Sequence, residues 1–127
     1  MTAQLAHTSY TSARTTVGSL AQNEYGIIAR ITARLEDAMD LDTVTTGYAR
    51  LAEALFENRR LWLALASDVA HPQNALPAEL RQRLFALAAF VQVHSERVLQ
   101  GSADPADLVA INRDIMSGLA GADGSHG

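Results

Sequence analysis

One periodic run of mostly apolar residues constrains the fold more than any other feature of this chain. Its positions alternate in steps of four and three residues: Val44, Tyr48, Leu51, Leu55, Asn58, Trp62, Leu65 and Val69. This spacing keeps the side chains on one face of an α-helix, as in the seam of a coiled coil. We therefore predict a helix over residues 43–70, with Asp42 or Thr43 as its N-terminal cap.

Similar patterns predict three more helices and no strand. They cover residues 21–39 (Tyr25, Ile28, Ile31, Leu35, Ala38), 77–100 (Leu80, Leu84, Leu87, Val91, His94, Val98) and 105–120 (Leu108, Ile111, Ile115, Leu119). Pro77 and Pro105 suit first turns, Asp104 can cap, and Gly101 suits a helix end. The predicted fold class is all-α, a small bundle of four main helices joined by short turns.

The length of 127 residues is that of a single domain. We place this helical domain at residues 20–120. Residues 1–19 are mostly small and polar, and form either a loosely attached arm or a short extra helix, with a break at Gly18-Ser19. Residues 121–127 are predicted to be a disordered tail.

Composition argues against several function classes. The absence of Cys excludes disulfides and thiol catalysis. The net charge of -4 argues against direct binding to nucleic acid, although a local Arg patch could override it. The longest apolar run, at residues 84–91, is too short to cross a membrane, and the N-terminus lacks the apolar segment of a signal peptide. A cytoplasmic protein without membrane contact is expected.

Three polar residues interrupt the apolar stripes: Asn58, His94 and Asn112. A buried polar group without a partner costs about 1–3 kcal/mol, so each needs a hydrogen bond. The three could form a polar site in the bundle interior. We favour the alternative, a hydrogen-bonded relay that fixes the register of the helices.

No set of residues indicates catalysis. Asp68, His71 and His94 could be imagined as a metal site, but only two helices supply them and no Glu-x-x-His is present. His94 and Ser95 are sequence neighbours, which point apart on a helix. Phosphate-binding, dinucleotide-binding and nucleophile-elbow motifs are absent. We expect no enzyme activity, no metal and no cofactor.

The predicted helix 43–70 has a second apolar face, formed by Ala52, Phe56, Leu63, Ala66 and Ala70. Arg59 and Arg60 lie near it and point about 100° apart. They either extend into solvent and pair with Glu53, Glu57 or Asp68, or they form the rim of a binding surface, where Arg and Trp are enriched. The candidate partner-binding residues are Phe56, Arg59, Arg60, Trp62 and Leu63. For Trp62, the seam position favours burial in the core.

The order and spacing of several short motifs resemble those of one family. The motifs are Glu24-Tyr25, Asn58-Arg59-Arg60-Leu61-Trp62, Asp68, Asn74-Ala75-Leu76-Pro77, Leu80-Arg81, His94-Ser95, Val98-Leu99 with Gly101, Leu108, Ile111-Asn112, Ile115-Met116 and Gly118-Leu119. Over residues 10–120 the chain resembles the FlaF family of flagellar proteins. The resemblance implies a small cytoplasmic helical protein of flagellum assembly. It implies that the protein promotes flagellin production and export, opposes the repressor FlbT, and binds flagellin as a secretion chaperone or adaptor.

The leading hypothesis is therefore a flagellin-binding chaperone or adaptor in which an amphipathic flagellin segment docks on the second face of helix 43–70. One alternative is a post-transcriptional regulator of flagellin mRNA, acting directly or through FlbT. Direct contact with RNA would require several Arg residues to converge on one surface: Arg14, Arg30, Arg34, Arg81 and Arg83. Another alternative is a structural module whose homodimer buries Phe56 and Leu63.

Overall fold

The computed structural model describes the backbone of residues 10–40 and 46–124, and the side chains of residues 25–40 and 47–118. Four α-helices make up the fold: α1 (Tyr10–Met39), α2 (Thr46–Ala70), α3 (Ala78–Leu99) and α4 (Ala106–Gly124). No strand occurs in these described ranges. The prediction of an all-α bundle with four main helices is confirmed.

Two helices extend beyond their predicted ends. Helix α1 begins at Tyr10 and continues through Gly18-Ser19, where a break was predicted, and α4 continues through Gly118 and Gly121 to Gly124. A glycine inside a helix costs only about 1 kcal/mol relative to alanine, so helix-forming neighbours can override it. Much of the predicted arm and part of the predicted tail are therefore helical. Residues 1–9, 41–45 and 125–127, with the proposed cap at Asp42 or Thr43, lie outside the described residues.

The core follows the predicted seam of α2. Its buried members are Leu51, Leu55, Asn58, Trp62, Leu65 and Val69. Tyr48 is half-exposed, and its hydroxyl donates a hydrogen bond to the carbonyl of Leu99 at 3.1 Å. The neighbouring helices contribute Ile28, Leu35, Val91 and Leu108, all fully buried. The seam therefore lies at the centre of the bundle.

The helices are not packed equally against one another. Helix α1 packs extensively against α4 and α2, and α2 packs against α1 and α3. Helices α3 and α4 touch only over a short stretch. Helix α3 consequently has one extensive neighbour, α2, and a large part of its surface is available to solvent.

Helix α3 ends at Leu99, and Gly101 is the C-terminal stop that the sequence predicts. Gly101 has a φ of +81°, its N–H donates to the carbonyl of Val98 at 3.0 Å, and the N–H of Ser102 donates to the carbonyl of Arg97 at 2.9 Å. This pair of bonds is the Schellman motif. The next helix begins where the carboxylate of Asp104 accepts from the N–H of Ala106 at 2.9 Å.

The connection between α2 and α3 is held by Asn74. Its side-chain amide donates to the carbonyl of Asp68 at 2.9 Å and accepts from the N–H of Leu76 at 3.0 Å. Leu76 is buried, and its carbonyl accepts from Nε of Arg81 at 3.0 Å. The turn is therefore fixed at both ends, which sets α3 antiparallel to α2.

We expect Gly101→Ala to lower the free energy of unfolding by about 1 kcal/mol, because a residue with a Cβ is strained at this positive φ. The matched control is Gly26→Ala in α1, where a Cβ would meet no atom within 4 Å. This second change should raise stability by roughly 0.5–1 kcal/mol through helix propensity. Urea denaturation measures both. A Gly101→Ala protein as stable as the parent would contradict the assigned helix end.

Candidate functional site

A group of buried hydrogen bonds joins α1, α2 and α4 at the centre of the bundle. The side-chain carbonyl of Asn112 accepts from the indole N–H of Trp62 at 2.9 Å. The amide nitrogen of Asn112 donates to Oδ1 of Asn58 at 2.8 Å and to Oγ1 of Thr32 at 3.0 Å. Thr32 in turn donates to the carbonyl of Ile28 at 2.6 Å. We call Thr32, Asn58, Trp62 and Asn112 the Asn112 network; each is at most 3% exposed.

The indole fixes the orientation of the whole network. Because an indole N–H can only donate, the group facing it must be the oxygen of Asn112. The nitrogen of Asn112 then has to face Asn58, which turns the oxygen of Asn58 toward it. Among the described residues, Nδ2 of Asn58 is left without a hydrogen-bond partner. The arrangement holds three helices in one register and presents no group to solvent.

His94 does not join the Asn112 network, although it was grouped with Asn58 and Asn112 as a buried polar residue. It lies at the short contact between α3 and α4, with 12% of its side chain exposed. Its Nε2 is 3.1 Å from the carbonyl of Asp104 and 3.2 Å from Oδ2 of Asp107. Both neighbours are acceptors, so Nε2 carries the hydrogen. His94 therefore links α3 to the start of α4.

Asp68, His71 and His94, which were considered for a metal site, do not converge on one point. Within the described ranges, no three His, Asp or Glu side chains come close enough together to coordinate a metal. His71 faces its own turn, because its Nδ1 accepts from the N–H of Gln73 at 3.1 Å. His94 is engaged with α4.

None of the described helices combines the length and the apolar character that crossing a bilayer requires.

The two large side chains of the second apolar face of α2 lie on the surface, whereas Ala66 packs against the core. Phe56 is 59% exposed and Leu63 is 54% exposed, although both are large apolar side chains. The guanidinium of Arg60 lies over the ring of Phe56, with 5.8 Å between its carbon and the ring centroid. We call Phe56, Arg60 and Leu63 the α2 surface. It has the composition of a binding site for another protein.

Trp62, which was predicted as a candidate partner-binding residue, lies in the core instead. Its side chain is 0% exposed and its indole N–H is bonded to Asn112, so it cannot contact a docked partner without unfolding the core. Its sequence position explains this, because the seam places it on the face of α2 opposite to solvent. Burial was the favoured interpretation of Trp62 from the sequence.

Arg59 is held at the junction of α2 and α3. Its Nε donates to Oε1 of Gln92 at 3.1 Å, and Nε2 of Gln92 donates to the carbonyl of Arg59 at 3.2 Å. Neither Arg59 nor Arg60 forms an ion pair with any carboxylate of the described residues. Glu57, one of the predicted local partners, instead pairs with Arg34 of α1 at 2.6 Å. Both Arg residues thus keep donors for a partner.

The Arg residues considered for RNA binding do not form one surface. Arg30 and Arg34 belong to α1, whereas Arg81 and Arg83 belong to α3, a helix that does not pack extensively on α1. Arg34 is neutralised by Glu57, and Arg81 donates to a backbone carbonyl. The side chain of Arg14 lies outside the described residues. This arrangement does not favour direct contact with RNA.

Sequence reasoning missed further exposed apolar residues on α3. Phe85 is 54%, Phe90 45% and Val93 55% exposed. The three lie off the predicted apolar positions of this helix, as Phe56 and Leu63 lie off the α2 seam, so the same test would have found them. Phe85 borders a cavity of about 260 Å³ between α2 and α3, next to Val69 and Arg81. Large exposed apolar residues therefore occur on both α2 and α3.

Comparison with known proteins places the chain in a flagellar context. Residues 6–119 match the family model described as flagellar protein FlaF. The match includes α2, α3, the α2 surface and all four members of the Asn112 network. No curated protein and no solved structure is significantly similar to the chain.

We expect Asn112→Leu to destabilise the fold more than Asn58→Leu. The first change removes three hydrogen bonds and leaves the Trp62 indole unpaired, whereas the second removes one bond and also removes the unpaired Nδ2 of Asn58. Each buried group left unpaired costs about 1–3 kcal/mol. Urea unfolding of the two variants, which differ little in side-chain volume, measures the difference. The reverse order of stability would contradict the network.

Proposed function

The chain belongs to the FlaF family of flagellar proteins, and from this premise we propose that it binds flagellin in the cytoplasm as a secretion chaperone or adaptor and catalyses no reaction. Family membership supplies the flagellar context. The observation that carries the binding proposal is the exposure of Phe56 and Leu63 on one helix, by 59% and 54%. Large apolar side chains exposed together are a common feature of protein-binding surfaces.

The spacing of these two residues supports docking of a helix. They are seven residues apart, two turns of α2, so their side chains point in the same direction about 10 Å apart along the axis. An amphipathic helix of flagellin would place apolar residues against both. Burial of this surface would drive association, while flagellin kept in the complex could not polymerise through the same segment.

Charge at the edge of the α2 surface adds specificity. Arg60 lies over the Phe56 ring, and Arg59 is held by Gln92 at the junction of α2 and α3. Since neither Arg has an ion-pair partner in the described part of the chain, a carboxylate on flagellin could pair with them. Charges at a rim mainly raise the association rate and make it depend on salt. Flagellin binding should accordingly weaken as ionic strength rises.

We expect Phe56→Ala and Leu63→Ala each to weaken flagellin binding at least about tenfold, because buried contacts at the centre of an interface dominate its energy. Stability should change by less than about 0.5 kcal/mol, since both side chains are exposed in the free protein. Isothermal titration against purified monomeric flagellin gives the affinities. Phe85→Ala, a similarly exposed apolar position on α3, is the matched control and should bind like the parent.

If a variant with both Phe56→Ala and Leu63→Ala bound flagellin with unchanged affinity, the α2 surface would not be the flagellin site. Titrations with FlbT in place of flagellin separate the two implied partners, because loss of binding to FlbT alone would favour the regulatory alternative. Light scattering of the free protein tests the third alternative. A homodimer that dissociates on Phe56→Ala would show that the α2 surface is used for self-association.

A further inference from the structure

We propose that the outer face of α3 is a second docking site, and that its partner is an amphipathic helix with acidic residues at both ends of its apolar stripe. The site consists of Arg83, Ala86, Phe90, Val93 and Arg97, which we call the α3 stripe. These positions follow one another at intervals of three, four, three and four residues. They therefore form one line along the helix, the pattern that a second helix can pack against.

The α3 stripe is exposed, and α3 uses other residues for its own packing. Phe90 is 45% exposed and Val93 is 55% exposed. Ala86, one turn before Phe90, is also exposed. The side of α3 that faces the core carries Leu84, Ala88, Val91, Ser95 and Val98. The helix is thus apolar on two sides, and only one of them is covered within the described structure.

The orientation of Phe90, the aromatic residue of the stripe, is fixed by a neighbouring side chain of the same helix. The Phe90 ring stacks on the imidazole of His94, with centroids 4.9 Å apart and planes inclined by 22°. His94 is itself bonded through Nε2 to the carbonyl of Asp104 and lies beside the carboxylate of Asp107. A ring supported in this way loses little freedom when a partner covers it. Such preorganisation favours binding.

The charges at the two ends define the partner. Arg83 and Arg97 are exposed, and no carboxylate among the described residues forms an ion pair with either, including Glu79 and Glu96 on the same helix. The two Arg positions are 14 residues apart, or about 21 Å along α3. A partner helix with Asp or Glu at the same separation would place a carboxylate at each guanidinium.

The same charges argue against a second copy of this chain as the occupant. In an antiparallel pair of α3 helices, Arg83 would face Arg97 of the other copy, and in a parallel pair each Arg would face its equivalent. Both arrangements bring like charges together at each end of a short apolar contact, which is unfavourable. The α3 stripe therefore fits a different, acidic partner.

This inference does not depend on flagellin binding at the α2 surface. The two sites lie on different helices, and they share no residue. A protein with both could hold two partners at once, one on α2 and one on α3, which is the arrangement an adaptor requires.

A pair of designed peptides tests the proposal. Each is a helix of about 18 residues with Leu at the three central stripe positions and, 14 residues apart, either two Glu or two Lys. Anisotropy of the fluorescein-labelled peptides is measured with the full chain. We expect saturable binding of the Glu peptide and at least about tenfold weaker binding of the Lys peptide. Equal affinity for the two, or no saturable binding of the Glu peptide, would overturn the proposal.

Variants identify the surface. Phe90→Ser with Val93→Ser should weaken binding of the Glu peptide about tenfold or more. The matched control is Phe85→Ser, which changes a similarly exposed aromatic residue of α3 outside the stripe and should leave binding unchanged. Arg83→Glu with Arg97→Glu should reverse the preference toward the Lys peptide, a result that loss of folding cannot produce. Equal weakening by the control, or an unchanged preference after charge reversal, would refute the site. Adding flagellin shows separately whether the α2 surface binds, so the two proposals can fail independently.

Discussion

The hydrogen bond from the Trp62 indole to the Asn112 side chain determines how this bundle is assembled. Trp62 is the largest fully buried side chain, and its N–H needs an acceptor in the interior. Apolar packing alone would tolerate several offsets between helices, because apolar contacts have no direction and a shifted helix can still bury its apolar side chains. A buried amide that must accept from an indole and donate to Asn58 and Thr32 is satisfied in only one register.

The surface follows from this internal constraint. Once Trp62 and Asn58 face the centre, the rotation of α2 about its axis is fixed, and Phe56 and Leu63 necessarily face outward. The helix cannot turn to bury them without leaving the Trp62 N–H unpaired and exposing the apolar residues of the seam, which together would cost more than the burial would gain. The exposure of these apolar residues is thus a consequence of the polar centre, and the proposed partner would offset its cost by covering them.

The sequence predicted the features that depend on periodicity. The seam of α2 gave the core positions from Leu51 to Val69, and the cap at Asp104 and the stop at Gly101 were readable from single residues. The break predicted at Gly18 and the helix end predicted at Gly121 are wrong, because both glycines lie inside helices, whereas Gly101 takes a positive φ.

The site was predictable to a smaller extent. Asn58 and Asn112 could be recognised as polar residues on or beside apolar stripes, but their pairing depends on distances between helices that no local pattern contains. Thr32 was missed because it lies beside the α1 stripe and its hydroxyl bonds within its own helix. The α3 stripe is harder to recognise in the sequence, because Phe90 and Val93 are its only large apolar residues and arginines stand at both of its ends.

The limited packing of α3 has a consequence for the dynamics of the molecule. With α2 as its one extensive neighbour and His94 as a link to α4, α3 can open at a lower free energy than the bundle as a whole. Its backbone amides should therefore exchange with solvent through local opening, while those of the helices joined by Asn112 exchange only on global unfolding. A ligand on α3 would raise the free energy of that local opening and slow exchange along the entire helix.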